Sequence, residues 1–243
     1  MPLSYAWREL QRDGGHGGRR VVISAPTLFG PVARDYERWS ALLSLGQDPR
    51  WRATLVAGLE LPPGARVLDV AAGTGTITRL LRARDCRPIA LDITAPMLRR
   101  AAAHGLVSVR ATADSLPFGS ATFDGLTCSY LLRYVPDPLH TLRELGRVLR
   151  PGGTIGMLEF GRPRGVWGPC WTLYTRLGLP LAGSLIGHGW GEVGRFLGPS
   201  IDTFHRRFPP STLHELWRQA GFVDVRLQTL SLGGGMVLWA RKG

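Results

Sequence analysis

The residues that could do chemistry gather around one glycine-rich turn and two aspartates. The stretch VLDVAAGTGTIT, residues 67–78, is typical of an apolar strand that runs through a glycine turn into a helix. In open α/β sheets such a turn lies at the carboxyl end of a strand, where ligands bind. The residues in and beside the turn indicate which ligand it would hold.

The turn departs from both common phosphate-binding patterns. A P-loop requires G-x-x-x-x-G-K-[ST], and no lysine follows here. The dinucleotide fingerprint requires G-x-G-x-x-G/A, and Thr78 stands where that pattern has a small residue. Asp69, just before the turn, would repel an anion and suit a cation. The turn favours a ligand without phosphate, while an NAD(P)-dependent oxidoreductase with a degenerate glycine loop stays open as an alternative.

A second acid, Asp92, ends the apolar run Ile89–Leu91. It follows Asp69 by 23 residues, about where nucleotide-binding folds place an acid on the ribose hydroxyls. Together the two aspartates predict an adenosine-like ribose attached to a positively charged group. S-adenosylmethionine, with its ribose, sulfonium and α-ammonium, meets this description.

Four motifs in order resemble those of the class I S-adenosylmethionine-dependent methyltransferases: LDVAAGTGTIT, LDITAPML, ADSLPFGSATFDGLTCS and LGRVLRPGGTIGMLEF, over about residues 64–160. The resemblance implies this cofactor, with S-adenosylhomocysteine as its product. It implies that Asp92 binds the ribose, that Thr112 and Ala113 border the adenine, and that Ser129 lies under the methionine end. Asp114 or the backbone is an alternative for the adenine. The other implied cofactor-binding residues are Asp69, Ala71, Gly73, Thr74, Gly75, Ile93 and Met97.

Further stretches resemble the C-methyltransferases of menaquinone and ubiquinone biosynthesis, over about residues 30–240: Tyr36-Glu37, Leu43–Asp48 with Trp51-Arg52, Leu158–Phe160 with Pro163, Leu197–Ile201 and Gly234–Val237. This resemblance implies C-methylation of a prenylated quinol such as demethylmenaquinol. The chain departs from the family at Leu131 and Tyr134, which replace a glycine and an asparagine. An O- or C-methyltransferase of another hydrophobic aromatic, lipid or natural-product acceptor therefore stays an alternative.

Three residues are predicted to be catalytic: Arg133, Tyr36 and His205. Arg133 lies in an apolar stretch and needs a partner, because an unpaired buried charge is costly. It would stabilise the oxyanion of a phenolic acceptor, or it would form a structural ion pair with Asp124, Asp137 or Glu144. Tyr36, by its family position, would touch the proton network, and His205 is a candidate base, as is His188. The Cys and His spacing offers no metal site.

Short apolar runs alternate with amphipathic segments and must position these residues. The predicted strands are 67–70, 88–91, 107–111, 125–129, 154–159, 223–230 and 236–240, and the predicted helices between them are 77–84, 96–104, 138–149 and 211–220. We therefore predict an α/β, Rossmann-like doubly wound fold. Its mostly parallel seven-stranded sheet would end in a C-terminal antiparallel hairpin and carry a helical lid insertion.

The expected organisation is a flexible leader, residues 1–25, followed by a single methyltransferase domain, residues 26–243. Within that domain we expect two N-terminal helices in 33–59, broken at 45–49, and a cofactor-binding core in 64–160. An acceptor lid would span 161–210, and a closing helix and strands would span 211–243.

Composition bears on partners and location. The chain has 30 basic and 18 acidic residues, for a net charge of +12, and Lys242 is its only lysine. This charge favours an anionic membrane surface as a partner, and the absence of a zinc-finger or RNA-binding signature argues against nucleic acid. Three distant cysteines and no apolar leader predict a cytoplasmic enzyme, peripheral on the inner face of the membrane. A homodimer is kept open.

Overall fold

A seven-stranded sheet runs through the computed structural model, which describes residues 24–243. The strands are β1 Arg66–Val70, β2 Arg87–Asp92, β3 Ser108–Arg110, β4 Phe123–Ser129, β5 Leu149–Phe160, β6 Phe222–Leu230 and β7 Gly235–Lys242. The helices are α1 Ala25–Phe29, α2 Tyr36–Leu43, α3 Gln47–Ala57, α4 Thr76–Arg82, α5 Ala95–Ala103, α6 Pro138–Val148, α7 Trp167–Leu173, α8 Leu179–Ile186, α9 Trp190–Arg207 and α10 Pro210–Gln219.

The strand order is β3-β2-β1-β4-β5-β7-β6. Strands β1 to β5 pair in parallel, and β7 lies antiparallel between β5 and β6. The order reverses between β1 and β4, which is where open α/β sheets bind their ligands. The predicted α/β fold, its mostly parallel sheet and its C-terminal hairpin are confirmed.

Apolar layers cover both faces of the sheet. Strand β4 buries nearly every residue, as a strand with helices on both sides should. On one face its Leu126 packs with Leu145 of α6 and Trp217 of α10. On the other face Leu55 of α3 and Ile77 of α4 pack with Leu158 of β5. These layers hold the carboxyl ends of the central strands in fixed positions.

The segment 161–210 is helical: α7 leads through a π-helical turn, Tyr174–Gly178, into α8 and then α9. None of the helices in residues 24–243 is long and apolar enough to cross a lipid bilayer.

Several boundaries differ from the sequence prediction; β5, for example, begins at Leu149 and not at residue 154. The break between α2 and α3 ends at Gly46, whose φ of 74° is left-handed, and Pro49 stands within the first turn of α3, where proline is tolerated. Ser24 and Ala25, predicted to belong to the leader, cap and begin α1. The remainder of the predicted leader, residues 1–23, lies outside the described residues.

Candidate active site

A cavity of about 340 Å³ opens at the carboxyl ends of β1, β2 and β4. It lies where the strand order reverses. Nine of the predicted site residues are on its wall: Tyr36, Ala71, Gly73, Asp92, Ile93, Met97, Thr112, Ala113 and Ser129. Five are not: Asp69, Thr74, Gly75, Arg133 and His205. Asp114 also lines the cavity.

Asp92 joins the two turns that border the cavity. Its Oδ2 accepts a hydrogen bond from the backbone N–H of Gly73 at 2.8 Å, and its Oδ1 accepts one from Thr94 at 2.7 Å. Burial raises the pKa of Asp92, although these bonds oppose the rise. Ala71 and Gly73 both have left-handed φ angles, near 57°, so the chain turns sharply beside this carboxylate. The carboxylate of Asp92, at the end of β2, is thus held at the cavity wall beside the glycine turn.

Asp69 lies behind the turn and does not line the cavity, contrary to the expectation that it faces a cation there. Its side chain is buried and accepts hydrogen bonds from Thr78 Oγ1 at 2.6 Å and Thr127 Oγ1 at 2.8 Å. Burial raises the pKa of Asp69 to about 6, against the lowering effect of the two hydroxyls. Thr78, the residue that breaks the dinucleotide pattern, is therefore a structural partner of Asp69.

Thr74 and Gly75 also support the turn from outside the cavity wall. Thr74 Oγ1 donates to Glu37 of α2 at 2.8 Å, and Glu37 pairs with Arg79 of α4 at 2.7 Å. Gly75 has a left-handed φ of 84°, and a Cβ there would come within 2.3 Å of Leu106. This position needs glycine for its conformation and for close packing.

Arg133 is buried in an ion pair behind the cavity. Its Nε lies 2.8 Å from Glu159 Oε1, and its Nη1 donates to Ser200 Oγ at 2.9 Å. The rings of Tyr134 and Phe160 lie just over 5 Å from the guanidinium carbon. The three acids anticipated from the sequence are not its partners, and its guanidinium does not reach the cavity wall.

Neither candidate histidine faces the cavity. His205 donates from Nε2 to the carbonyl of Phe160 at 2.8 Å, and burial lowers its pKa, so the ring is neutral at pH 7. His188 is exposed. The structure therefore brings neither of them to the place where an acceptor would react.

Sequence reasoning missed a polar cluster on the cavity wall. Arg52 and Tyr130 line the cavity, and both bind Asp48: Arg52 Nε lies 2.7 Å from Asp48 Oδ2, and Tyr130 Oη lies 2.6 Å from Oδ1. The spacing of Asp48 and Arg52, four residues apart on a helix, is a signal for such a pair. Burial raises the pKa of Tyr36 to about 12 and that of Tyr130 well above 10, so both phenols stay protonated at neutral pH.

The predicted acceptor lid also lies elsewhere than expected. No residue of 161–210 is on the cavity wall. The cover comes from the N-terminal side, through Ser24, Pro26 and Phe29 around α1. Helix α1 was not predicted from the sequence, because it has only five residues and buries only Leu28.

Comparison with known proteins shows what this chain is similar to. The model of the ubiE/COQ5 methyltransferase family matches residues 21–242. The demethylmenaquinone methyltransferase of Mycobacterium tuberculosis is 35% identical over 214 residues, which cover 87% of this chain and 88% of that protein. The demethylmenaquinone methyltransferase of Thermus thermophilus is 37% identical over 216 residues, covering 85% and 96%.

The chain belongs to the ubiE/COQ5 methyltransferase family. It is an S-adenosylmethionine-dependent methyltransferase, which sets aside the oxidoreductase alternative. The ubiquinone/menaquinone biosynthesis C-methyltransferase of Desulfotalea psychrophila is another relative, 34% identical over 222 residues that cover 88% and 89%.

Solved structures agree on the fold of this family member. An S-adenosylmethionine-dependent methyltransferase of Thermotoga maritima aligns with a TM-score of 0.64 at 21% identity, covering 90% of this chain and 99% of that one. Another from Aquifex aeolicus aligns at 0.56 and 16% identity, covering 79% and 89%.

The cavity of this methyltransferase fits its cofactor chemically. Asp92 offers a carboxylate that can accept from ribose hydroxyls. The hydroxyl of Ser129 is buried on the wall and has no hydrogen-bond partner within residues 24–243, so it can bind a polar group of a ligand. Leu91, Ile93 and Met97 supply an apolar surface that suits the adenine ring of the cofactor.

We expect the pair Arg133–Glu159 to be structural. Arg133→Met leaves Glu159 buried without a cation and should lower the free energy of unfolding by about 3–5 kcal/mol. Adding Glu159→Leu should recover most of that loss, because an apolar pair often replaces a buried ion pair without cost. Urea denaturation of the wild type, both single variants and the double variant measures this cycle. Losses that simply add in the double variant would contradict the pairing.

Proposed function

We propose that this enzyme transfers a methyl group from S-adenosylmethionine to a ring carbon of a prenylated quinol of the demethylmenaquinol type. The observation that carries the proposal is the aromatic end of the cavity, which holds one buried cation, Arg52. The relatives from M. tuberculosis, T. thermophilus and D. psychrophila, which are named as quinone-pathway methyltransferases, support the same acceptor class.

Aromatic side chains form one part of the cavity wall. Phe29, Tyr36 and Tyr134 all line the cavity, and Phe29 meets Tyr134 edge to face at 5.6 Å between centroids. Leu131 extends this surface. Flat rings pack favourably against such side chains, so this end suits a quinol ring better than a charged acceptor. Leu131 and Tyr134 are also the departures from the family pattern, so they would tune which ring is accepted.

Cofactor binding is assigned to the other end. We propose that Asp92 accepts from the ribose hydroxyls and that Ser129 binds the methionine end. Thr112, Ala113 and Asp114 would border the adenine. Asp69, Thr74 and Gly75 would act only through the shape of the turn. The bound cofactor supplies an electrophilic methyl group on a sulfonium.

The chain's own groups would orient the acceptor and favour its ionised form. A ring hydroxyl that loses its proton to water pushes electron density onto the attacking carbon, and Arg52 would stabilise the resulting oxyanion. Once the new carbon–methyl bond has formed, S-adenosylhomocysteine is the leaving group and the hydrogen on that ring carbon is lost to water as a proton. Tyr36 and Tyr130 stay protonated, so they would act as hydrogen-bond donors and not as bases. The aromatic wall would hold the ring in line with the methyl group and exclude water, which accounts for much of the rate in such displacements.

We also propose that the enzyme works at an anionic membrane surface, since the prenyl tail of such an acceptor lies in the bilayer. The net charge of +12 supports this location. The homodimer considered from the sequence stays a prediction.

The acceptor is tested with methyl-labelled S-adenosylmethionine and a short-chain demethylmenaquinol kept reduced. We expect label in the quinol fraction, with the new methyl on a ring carbon by mass spectrometry and NMR. The matched control is menaquinol, whose ring carbon already carries its methyl group and should take no label. If the enzyme binds S-adenosylhomocysteine but leaves the quinol unlabelled, or labels an oxygen, the proposed acceptor reaction is wrong.

Replacing Asp92 tests the cofactor end. Asp92→Asn keeps the shape but removes the charge that strengthens hydrogen bonds to hydroxyls, so S-adenosylhomocysteine should bind about 10–100-fold more weakly. Isothermal titration calorimetry measures this, with Glu215→Gln, an exposed change on α10, as the control. Unchanged affinity in Asp92→Asn would remove Asp92 from the cofactor site.

Replacing Arg52 tests the acceptor end. Arg52→Met should lower kcat/KM for the quinol by about 100–1000-fold, the range seen for loss of one oxyanion-stabilising donor, and Arg52→Lys should retain part of the activity. Without the cation, the acceptor ionises less readily, so the rising limb of the pH–rate profile should shift to higher pH. Arg50→Met, an exposed change on the same helix, is the control. A profile that does not move would show that Arg52 only supports the fold.

A further inference from the structure

One continuous helical segment, formed by α7, the π-helical turn and α8, presents leucines to solvent. Leu173, Leu177, Leu181 and Leu185 recur every four residues and are 64%, 52%, 57% and 90% exposed. Residues four apart lie on one side of a helix. Val166 and Trp167 at the start of the segment are exposed as well.

Two neighbouring segments extend this surface. The hydroxyl of Tyr174 donates to the carbonyl of Leu43, which places the end of α2, with exposed Leu42 and Leu45, beside the π-helical turn. The turn between β6 and β7 bears exposed Leu232, and its Gly234 packs against Trp171 of α7. We call the whole surface the leucine face; its members are Leu42, Leu45, Val166, Trp167, Leu173, Leu177, Leu181, Leu185 and Leu232.

The leucine face holds most of the exposed apolar bulk. Within residues 24–243 it contains nine of the twelve large hydrophobic side chains that are exposed, the others being Val107, Val223 and Leu227. An apolar surface concentrated in this way marks an interaction site, whereas single exposed hydrophobics are ordinary.

Backbone contact with α9 keeps the leucines outward. A Cβ on Gly183 would lie 2.3 Å from the carbonyl oxygen of Trp190, and one on Gly194 would lie 2.5 Å from that of Leu179. Only glycines allow the two helices to come this close. The side of the segment that carries Thr175, Leu179 and Gly183 is buried as a result, so the leucines cannot turn inward.

The charges around the leucine face are positive. No Asp or Glu occurs between Glu159 and Glu192 in the sequence. Arg162 and Arg176 share one acid, Asp202, at 3.6 and 2.7 Å, which leaves an excess of positive charge. Arg164 is exposed and has no ion pair among the described residues. An apolar surface edged by arginines matches the interface of an anionic bilayer, and tryptophan is favoured at the same depth.

We propose that the leucine face docks on an anionic lipid bilayer, with the leucines in the acyl boundary and the arginines at the headgroups. A second copy of the chain is a poorer occupant. In a two-fold contact the same patch faces itself, so the same excess of positive charge would lie on both sides of the contact.

The leucine face lies close to the cavity, which would help a membrane-bound acceptor to enter. This part of the inference rests on the proposed function. Trp190 begins α9, four residues after α8 ends, and it stacks on Tyr36 of the cavity wall with ring centroids 6.0 Å apart. The cavity therefore lies one layer of aromatic side chains away from the docked helix. A quinol ring could leave the bilayer and reach Arg52 while its prenyl tail stays among the lipids.

Docking is tested by co-sedimentation with phosphatidylcholine vesicles containing a minority of phosphatidylglycerol. The test variant is Leu177→Gln/Leu181→Gln/Leu185→Gln, and the control is Val107→Gln/Val223→Gln/Leu227→Gln, which changes three exposed hydrophobics elsewhere. The wild type and the control should bind alike, and the test variant should partition at least about 100-fold less, since three leucines no longer enter the bilayer. Higher salt, or vesicles of phosphatidylcholine alone, should weaken the wild type.

A second measurement does not depend on these substitutions. Cys170 of α7 is exposed, whereas Cys86 and Cys128 are buried and the chain has no other cysteine. An environment-sensitive dye on Cys170 should shift its emission to the blue when the vesicles are added. A dye that stays in a watery environment while the protein sediments with the vesicles would place the docking surface elsewhere.

The outcomes separate docking from the proposed reaction. Equal binding by the test variant and the wild type, or no binding by either, overturns the docking proposal. So does a wild-type dimer in sedimentation velocity that the leucine substitutions dissociate, because the face would then be a subunit interface. Loss of docking with unchanged turnover of a short-chain, water-soluble quinol supports both proposals. If the leucine substitutions abolish docking but the wild type methylates no quinol, the docking proposal stands and only the proposed acceptor is wrong.

Discussion

The centre of this fold depends on one buried carboxylate, that of Asp69. It lies on β1 where the strand order reverses, and its two oxygens accept hydrogen bonds from α4 and from β4. A buried carboxylate is tolerated only with such partners, so three elements are fixed to one another at the point where the cavity opens. The shape of the glycine turn that follows is thus determined by the fixed positions of β1, α4 and β4 as well as by its own glycines.

A second buried charge supports the other end of the cavity. The pair Arg133–Glu159 lies behind the wall and binds Ser200, which ties α9 to the sheet. The guanidinium is surrounded by the rings of Tyr130, Tyr134 and Phe160, all within 6 Å. Two of these rings also line the cavity. The ion pair therefore helps to hold the aromatic wall, while the cation that faces the cavity is a different one, Arg52.

The sequence predicted the sheet almost completely, because its strands contain short apolar runs and amphipathic helices separate β1 from β2, β2 from β3, and β4 from β5. The meeting of Asp92 and Ser129 at one cavity was also predictable, since each ends a strand at the same edge of the sheet. The roles of Asp69 and Arg133 could not be predicted in this way. Their partners Thr78, Thr127 and Glu159 lie up to 58 residues away, and a lone charge in an apolar run does not reveal whether its partner is a side chain or a ligand.

The cover of the cavity escaped prediction for a different reason. An aromatic, glycine-rich segment such as 161–210 is typical of a lid, and it is helical, yet none of its residues lines the cavity. Helix α1, which does cover the cavity, is too short to show periodicity. The pair Asp48–Arg52 was visible as an (i, i+4) spacing, but the spacing alone does not say that Arg52 faces a cavity.

Two consecutive residues of α2 connect the halves of this enzyme. In the proposed function Tyr36 lines the acceptor end, and Glu37 accepts a hydrogen bond from Thr74 of the turn that would border the donor end. A single peptide unit therefore sets the distance between the two ends. Since catalysis of this kind loses most of its advantage when reacting atoms are misplaced by about 1 Å, alignment of methyl group and ring carbon depends on how firmly α2 is held. The alignment would then depend on the ion pair Glu37–Arg79, which helps to hold α2 in place. This ion pair is partly exposed to solvent, whereas the two ends of the cavity are more buried.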